Sequence, residues 1–299
     1  MLFRTLIFVP GINPRFVEKA RALAADVVCL DLEDSVPANE KEQARKIIIA
    51  GALSQQEFRA SVYVRTNSPE SGLLDADLAA VVRPGIAGIV VPKVNDAGEV
   101  ERIANVLSDL EKERGMAAGS VALMPSIETA RGVVNAYHIA SAAAGGRVNA
   151  LVFGVFDFLH DMRMDYDESD GSGYAYARAK IPVDARAAGV AAIDAIWQKV
   201  DDTDGLVRDA AAAKKLGYSG KSIIHPGQIE PVHGVFRPTR EEIEWAKKVV
   251  AALGDAAEKG TGRLAVRLEG RMVDAVHYKQ AKAILEASSS PPPDAGGRT

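Results

Sequence analysis

Short apolar runs recur along the chain, and between them lie longer stretches in which apolar residues return every three or four positions. The short runs are LIFV (6–9), VVCL (27–30), SVYV (61–64), GIVV (88–91), VALM (121–124), ALVF (150–153), VAAI (190–193) and SIIH (222–225). Runs of this length, bounded by polar or turn-forming residues and rich in β-branched side chains, predict buried strands. The intervening pattern, clearest in AGEVERIANVLSDLEKER (97–114) and TREEIEWAKKVVAAL (239–253), predicts amphipathic helices. Strand and helix in alternation make an α/β protein with a parallel sheet. Eight such units predict closure into a (β/α)8 TIM barrel rather than an open sheet.

The barrel is predicted over residues 1–255. A further segment, RLAVRLEGRMVDAVHYKQAKAILEA (263–287), follows the last barrel helix and is not needed for eight units, so residues 256–287 are predicted as a C-terminal helical arm or lid. The end, SSSPPPDAGGRT (288–299), has almost nothing to bury and is predicted to be a disordered tail.

Composition narrows the function classes. Over 299 residues the chain is 47% apolar and 25% charged, an ordinary globular balance with enough apolar mass for a large core. A net charge of −4 and a pI near 5.8 argue against a nucleic-acid or anionic-membrane surface, so any anionic ligand must be held by a few local cations. The start, MLFRTLIFVPG, reaches Gly11 and Pro14 too soon for a secretory signal, and no run approaches the roughly 20 apolar residues of a spanning helix. A cytoplasmic location is expected. Cys29 is the single cysteine, which rules out an internal disulfide or thiolate metal site and predicts a buried core residue.

The informative polar pattern is positional: apolar runs end abruptly in ionisable residues. VVCL is followed by Asp31, Glu33 and Asp34, VYV by Arg65, ALMPSI by Glu128, LVFGVF by Asp157 and AAI by Asp194, while IVVPK closes on Lys93. In a barrel these positions fall on one rim, where the loops after the strands build the active site. A single Asp after a strand is ordinarily a turn former or helix cap. A set of converging carboxylates is different, because like charges repel and shift one another's pKa unless a cation lies among them. Oxygen-only ligands suit Mg2+, with Mn2+ as an alternative, and Glu128 and Asp157 are the chosen pair. Such an ion polarises an oxo or carboxylate oxygen and stabilises an enolate. Arg65, forked and always charged, suits a substrate carboxylate; a salt bridge to Asp31, Glu33 or Asp34 is the competing explanation.

These residues resemble a known group. RTLIFVPG with Pro14 and Lys19, DLEDSV (31–36), RTN (65–67), VPK (91–93), PSIET (125–129), FGVFD (153–157), GYSGKSIIHPGQI (217–229) and GRMVD (270–274) are similar to the citrate lyase β-subunit-like branch of the HpcH/HpaI aldolase family, which includes malyl-CoA and citramalyl-CoA lyases. The match runs in order from about residue 4 to 278. The resemblance implies that Glu128 and Asp157 are Mg2+ ligands that also meet the substrate, that Arg65 binds the oxo acid, and that Asp31, Glu33 and Asp34 support the site from outside, with Lys93 placed beside them. It implies that Asp274 protonates or deprotonates the acyl-CoA methyl carbon, and that its arm reaches a neighbouring subunit's site in a homo-oligomer, often a trimer.

The chain departs from the family in two places. Val276 stands where a Pro is frequent, and Met162 and Arg163 replace a Leu-Gly pair after Asp161, leading into MDYDESDGSG (164–173).

Weaker signals are set aside or left open. GKS (220–222) is not a nucleotide phosphate loop, because Lys215 occupies the position that needs Gly and the motif precedes an apolar run. The resemblance places it in a loop near the CoA region; an ordinary turn is the alternative. Lys93 as a Schiff-base amine is disfavoured beside a rim salt bridge. His225 and His277 are read as structural before proton shuttles, and Trp197 and Trp245 as packing residues. Ser126 and Ser222 lack the elbow and base of an activated nucleophile. The expected activity is therefore Mg2+-dependent cleavage or formation of a β-hydroxyacyl-CoA, giving an oxo acid and an acyl-CoA. Alternatives are a class II aldolase on a free oxo acid, a coupled thioesterase, and a subunit that depends on an acyl-carrier partner.

Overall fold

In the computed structural model, residues 3–52, 58–142, 146–166, 172–259 and 265–289 are described. Eight parallel strands close in sequence order, the first pairing with both the second and the eighth: β1 Thr5–Pro10, β2 Val27–Asp31, β3 Ser61–Arg65, β4 Gly88–Val91, β5 Ala122–Ile127, β6 Ala150–Phe153, β7 Ala191–Asp194 and β8 Gly220–Ile223. This is the (β/α)8 TIM barrel that the alternation predicts. The strands are apolar on both faces because one face fills the barrel and the other lies under helices. The inner set includes Leu6, Val27, Cys29, Tyr63, Val90, Met124, Val152 and Ile193. Tyr63 needs Gly88 beside it, since a Cβ there would sit 2.1 Å from the ring.

The helices α1 Pro14–Ala20, α2 Lys41–Ala52, α3 Leu74–Val81, α4 Ala97–Glu113, α5 Ala130–Ser141, α6 Val155–Asp161, α7 Ala175–Ala187, α8 Thr203–Leu216 and α9 Ile229–Phe236 occupy the connections. Their starts are written locally. Asp96 caps α4 through the Glu99 N–H, Thr129 caps α5 through Gly132, and Asp202 caps α8 through Gly205. Among the described residues, no helix is long and apolar enough to cross a membrane.

Two expectations shift. Strand β8 begins at Gly220, two residues before the apolar run suggests, so GKS is part of the strand and neither a loop nor a turn. The reason is Lys221, a fully buried lysine that no hydropathy pattern would place in a strand. Its ammonium meets Asp194, its register partner on β7, at 2.7 Å, and also pairs with Asp209 of α8. Arg178 of α7 forks onto the same Asp194, at 3.0 and 2.6 Å. Asp194 therefore faces the helix layer and does not join the rim carboxylates. It clamps α7 and α8 onto the barrel.

Contacts divide the chain after His233. The second unit holds α10 Arg240–Lys259, β9 Ala265–Leu268, β10 Arg271–Asp274 and α11 Ala275–Ser289. The 255/256 boundary read from the sequence falls inside α10, which packs on α11 through Ala246, Val249, Leu253, Val273, Tyr278 and Ala281. β9 and β10 form an antiparallel hairpin through Glu269 and Gly270, both at positive φ (47° and 81°), the geometry of a tight two-residue hairpin turn. Of the predicted tail, residues 290–299 lie outside the described residues.

Burial pushes the Asp194 carboxyl up, but Lys221 and Arg178 overcome this and hold it below the usual carboxylate range. Because the unfolded chain takes up the proton first, the stability it contributes is present above about pH 4 and is lost as pH falls through the folded value. Replacing Lys221 with Ala should cost roughly 3–5 kcal/mol by leaving buried carboxylates short of a partner. Urea unfolding of the variant checks this.

Candidate active site

The C-terminal ends of the strands deliver charge to one cavity of about 410 Å3. Phe8 and Pro10 line it from β1, Asp31 from β2, Arg65 from β3, Ser126 and Glu128 from β5 and the turn after it, and Gly154 and Asp157 from the start of α6. Ile196, Ser222 and Ile224 complete the wall on the β7–β8 side. The structure thus brings Arg65, Glu128 and Asp157 together.

Arg65 lies over the Phe8 ring at 4.7 Å. Its Nε and Nη2 donate to the two oxygens of Asp31 at 2.6 and 2.8 Å, and Nη1 stands 3.1 Å from Glu33 and 3.6 Å from Asp34. The ion-pair explanation weighed for Arg65 is therefore realised with all three carboxylates. It does not exhaust the residue, because guanidinium has five N–H donors and the Asp31 fork takes two. Asp31 also accepts from the Glu33 and Ser35 N–H groups and the Ser35 hydroxyl. Burial raises its carboxyl pKa, but these donors, Arg65 foremost, outweigh burial and hold it below the usual range. Lys41, which sequence reasoning passed over, fixes this loop by donating to the Leu32 and Glu33 carbonyls, each at 2.7 Å.

Lys93 bridges the other side. Its Nζ lies 2.6 Å from Glu33 Oε1, 3.2 Å from Asp157 Oδ1 and 3.9 Å from Glu128 Oε2. A rim ion pair is thus what the structure shows for this lysine. Five carboxylates, Asp31, Glu33, Asp34, Glu128 and Asp157, share two cations here.

Glu128 feels that imbalance most. It is 4% exposed. Burial first, then the charges of Glu33 and Asp157, push its carboxyl up to about 8. Gly154 makes its position available: a Cβ there would lie 2.5 Å from Glu128 Cγ. The FGVFD motif carries that signal, though only the structure explains the glycine. Glu33 is likewise raised, chiefly by burial, and its Oε2 has no hydrogen bond although Arg65 is at ion-pair distance.

An oxygen-only donor set with a carboxylate pushed up by like charges fits a hard divalent cation. Among the described residues, no three His, Cys, Asp or Glu side chains are gathered to hold a metal by themselves. Glu128 and Asp157 are the residues that would hold such an ion, leaving substrate oxygens to share it.

Asp274 belongs to the second unit, where it ends β10 and begins α11. Its Oδ1 lies 2.7 Å from His277 Nδ1 and accepts from the Val276 N–H at 3.0 Å and the His277 N–H at 3.3 Å. The His277 side chain, and then these backbone donors, hold the carboxyl below its ordinary value. The departure at Val276 has a physical content: proline has no N–H to give this carboxylate. His225, by contrast, accepts from the Gly227 N–H and caps a local turn, a structural role. The departure at Met162 and Arg163 ends α6, with Arg163 at φ 56°. Residues 167–171 of the acidic stretch beyond it lie outside the described residues.

Comparison with known proteins decides the family. The sequence profile of HpcH/HpaI aldolase/citrate lyase matches residues 4–226. The chain belongs to the HpcH/HpaI aldolase/citrate lyase family. It is 36% identical over 289 residues to the citrate lyase subunit beta of Leuconostoc mesenteroides subsp. cremoris, covering 97% of this chain and 94% of that one. It is 33% identical over 296 residues to the mitochondrial citramalyl-CoA lyase of Rattus norvegicus, covering 96% and 86%. Its fold is similar to CitE from Mycobacterium tuberculosis, solved in complex with magnesium, acetoacetate and coenzyme A, with a TM-score of 0.78, 28% identity, and coverage of 97% and 99%. Like these relatives, this HpcH/HpaI chain is a lyase.

The raised Glu128 gives a pH signature. Between pH 4.5, its ordinary value, and about 8, the folded state holds a proton that the unfolded state has lost. Stability in the presence of chelator should therefore fall as pH rises through this window, by up to roughly 1.4 kcal/mol per pH unit. Glu128→Gln should flatten that slope in thermal unfolding measured from pH 5 to 8.

Proposed function

We propose that this chain is a Mg2+-dependent carbon–carbon lyase that cleaves or forms a β-hydroxyacyl-CoA of the malyl-CoA or citramalyl-CoA type, giving an oxo acid and an acyl-CoA. The observation that carries the reading is the Glu128 carboxyl, in one cavity with Asp157 and Arg65 and raised by burial and then by its like-charged neighbours. Glu128 and Asp157 would hold the Mg2+, with Mn2+ able to replace it. When bound, the ion supplies Lewis acidity toward an oxo or carboxylate oxygen.

The chain's own residues do the rest. Arg65, fixed in direction by the Asp31 fork and the Phe8 ring, presents its remaining N–H groups to a substrate carboxylate. Glu33, Asp34 and Lys93 set the charge around it. The apolar wall of Val152, Phe153 and Ile196 keeps water from the reacting carbon. Asp274 exchanges the proton of the acyl-CoA methyl carbon: as base it starts the addition, as acid it quenches the thioester enolate after cleavage. Its place in this reading is in the site of a neighbouring subunit of a homo-oligomer, a trimer or a multiple of three.

A second reading, favoured by the 36% identity to a citrate lyase subunit beta, is a subunit that acts only on a thioester presented by an acyl-carrier partner.

Incubating the purified chain with malyl-CoA or citramalyl-CoA and Mg2+ should release an oxo acid, and chelator should stop it. Turnover of free hydroxy acids alone would make it a class II aldolase, and silence on every free CoA ester would favour the carrier-dependent subunit. Asp274→Ala should lower kcat by roughly 10²–10⁴ while calorimetric Mg2+ uptake stays as in the parent protein. Near-normal turnover of that variant removes Asp274 from the mechanism.

A further inference from the structure

Lys93 has an unusual backbone as well as three acidic neighbours. Its φ is 54°, the left-handed region that an L residue with a long side chain rarely adopts. The conformation is pinned on both sides. The Lys93 N–H donates to Glu128 Oε2 at 3.2 Å, and the Lys93 carbonyl accepts from Asn95 Nδ2 at 3.1 Å. Val94 N–H bonds the Ser126 carbonyl at 3.2 Å, and Asn95 Oδ1 accepts from the Thr129 hydroxyl at 2.6 Å. One residue thus serves Glu128 with its backbone and turns its side chain back across Glu33, Asp157 and Glu128.

A surface salt bridge needs no such backbone. Nor does this geometry suit an amine nucleophile, since three carboxylates favour the charged ammonium. The distances point elsewhere. The ammonium is in contact with Glu33 at 2.6 Å and extends to Asp157 and Glu128 at 3.2 and 3.9 Å. A Mg2+ held by the latter two would approach their oxygens to about 2.0–2.1 Å, and a cation already drawn to the same oxygens competes with it.

We infer that Lys93 is a resident counter-cation, and that divalent-ion binding is an exchange in which its ammonium withdraws from Asp157 and Glu128 and keeps Glu33. This rests on the proposal that Glu128 and Asp157 hold the ion, and deepens it. The lysine lets five carboxylates gather at a barrel mouth before the metal arrives, and it sets the metal affinity below what the carboxylates alone would give. It is a positioning residue, acting on the ion through shared carboxylates.

The test is titration calorimetry with Mg2+ alone on the full chain, alongside thermal unfolding in chelator and in saturating Mg2+. Lys93→Met, close in length and uncharged, should bind Mg2+ at least about tenfold more tightly, as expected for a unit positive charge removed within a few ångströms of the ion. Its Tm in chelator should drop and recover in Mg2+, a larger gain than the parent protein shows. Lys93→Gln, whose amide can still bond Glu33, should show the same tightening and serves if the Met variant does not fold. Lys93→Arg should keep the parent affinity. Unchanged or weaker Mg2+ affinity in the folded Met or Gln variant overturns the exchange, while uptake by the parent that Glu128→Gln abolishes leaves the metal site standing. No uptake by the parent protein overturns the metal site and the exchange together.

Discussion

A carboxylate cut off from water with two like charges beside it keeps its charge only if a cation is supplied, and Glu128 is in that position. Much of the rim can be understood as an answer to this constraint. Gly154 yields the volume that lets Glu128 sit against α6, and the turn after β4 bends through a left-handed lysine to bring an N–H and an ammonium to it. Arg65 takes the opposite flank and is itself steered by Asp31. The positive charge is sufficient to order the acids but not to neutralise them, so the cavity remains anionic at its mouth while its wall is apolar. Such a site selects a ligand that brings cations with it, or oxygens that share one.

The barrel separates this chemistry from its structural polarity by strand parity. Successive side chains on a strand point to opposite faces, so on β7 and β8 Ile193 and Ser222 point inward while Asp194 and Lys221, one residue away, point to the helices. The outward pair is saturated by Arg178 and Asp209. At the other end of the barrel, buried His233 bonds the Thr5 hydroxyl beside the Arg4–Asp26 pair. The charged groups of each network are paired with one another, although the buried Tyr218 hydroxyl beside Asp194 has no hydrogen-bond partner. The rim network holds a buried carboxylate oxygen, Glu33 Oε2, without a hydrogen bond.

Most of the barrel is legible in the sequence, for reasons that can be traced to residues. Fully buried parallel strands write themselves as unbroken apolar runs, and the abrupt change to Asp31, Arg65, Lys93, Glu128 and Asp157 marks where each leaves the barrel. What pattern reading missed depends on distant partners. Lys221 looks like a loop residue until Asp194 and Asp209 are placed around it. Asp194 ends its strand as Asp31 does and yet faces the helices instead of the cavity, because one step along a strand reverses the face. The hairpin Ala265–Asp274 was read as part of a helical arm, since two four-residue strands in an Arg- and Glu-rich segment give too short an alternation to be told from an amphipathic turn. Gly270, the residue type that most readily takes up positive φ, is the one local turn signal between the two runs.

Asp274 shows how a local hydrogen-bond motif sets the terms for the proposed chemistry. Its carboxylate closes the first turn of α11, accepting from two backbone N–H groups, with His277 Nδ1 2.7 Å away. Each donor stabilises the anion, so the group rests ionised and is a weak base. An acid-base residue gains effectiveness as its pKa nears the working pH, and the cap works against this. Val276 contributes to the effect because it retains the N–H that a proline at that position would lack. A proline there would remove one donor from the carboxylate and raise its basicity. In this chain the anion is tied more firmly to its own helix, which favours the resting base over the protonated acid. On the proposed mechanism the condensation direction would start from that resting state, whereas cleavage would require Asp274 to acquire a proton before it could quench the enolate.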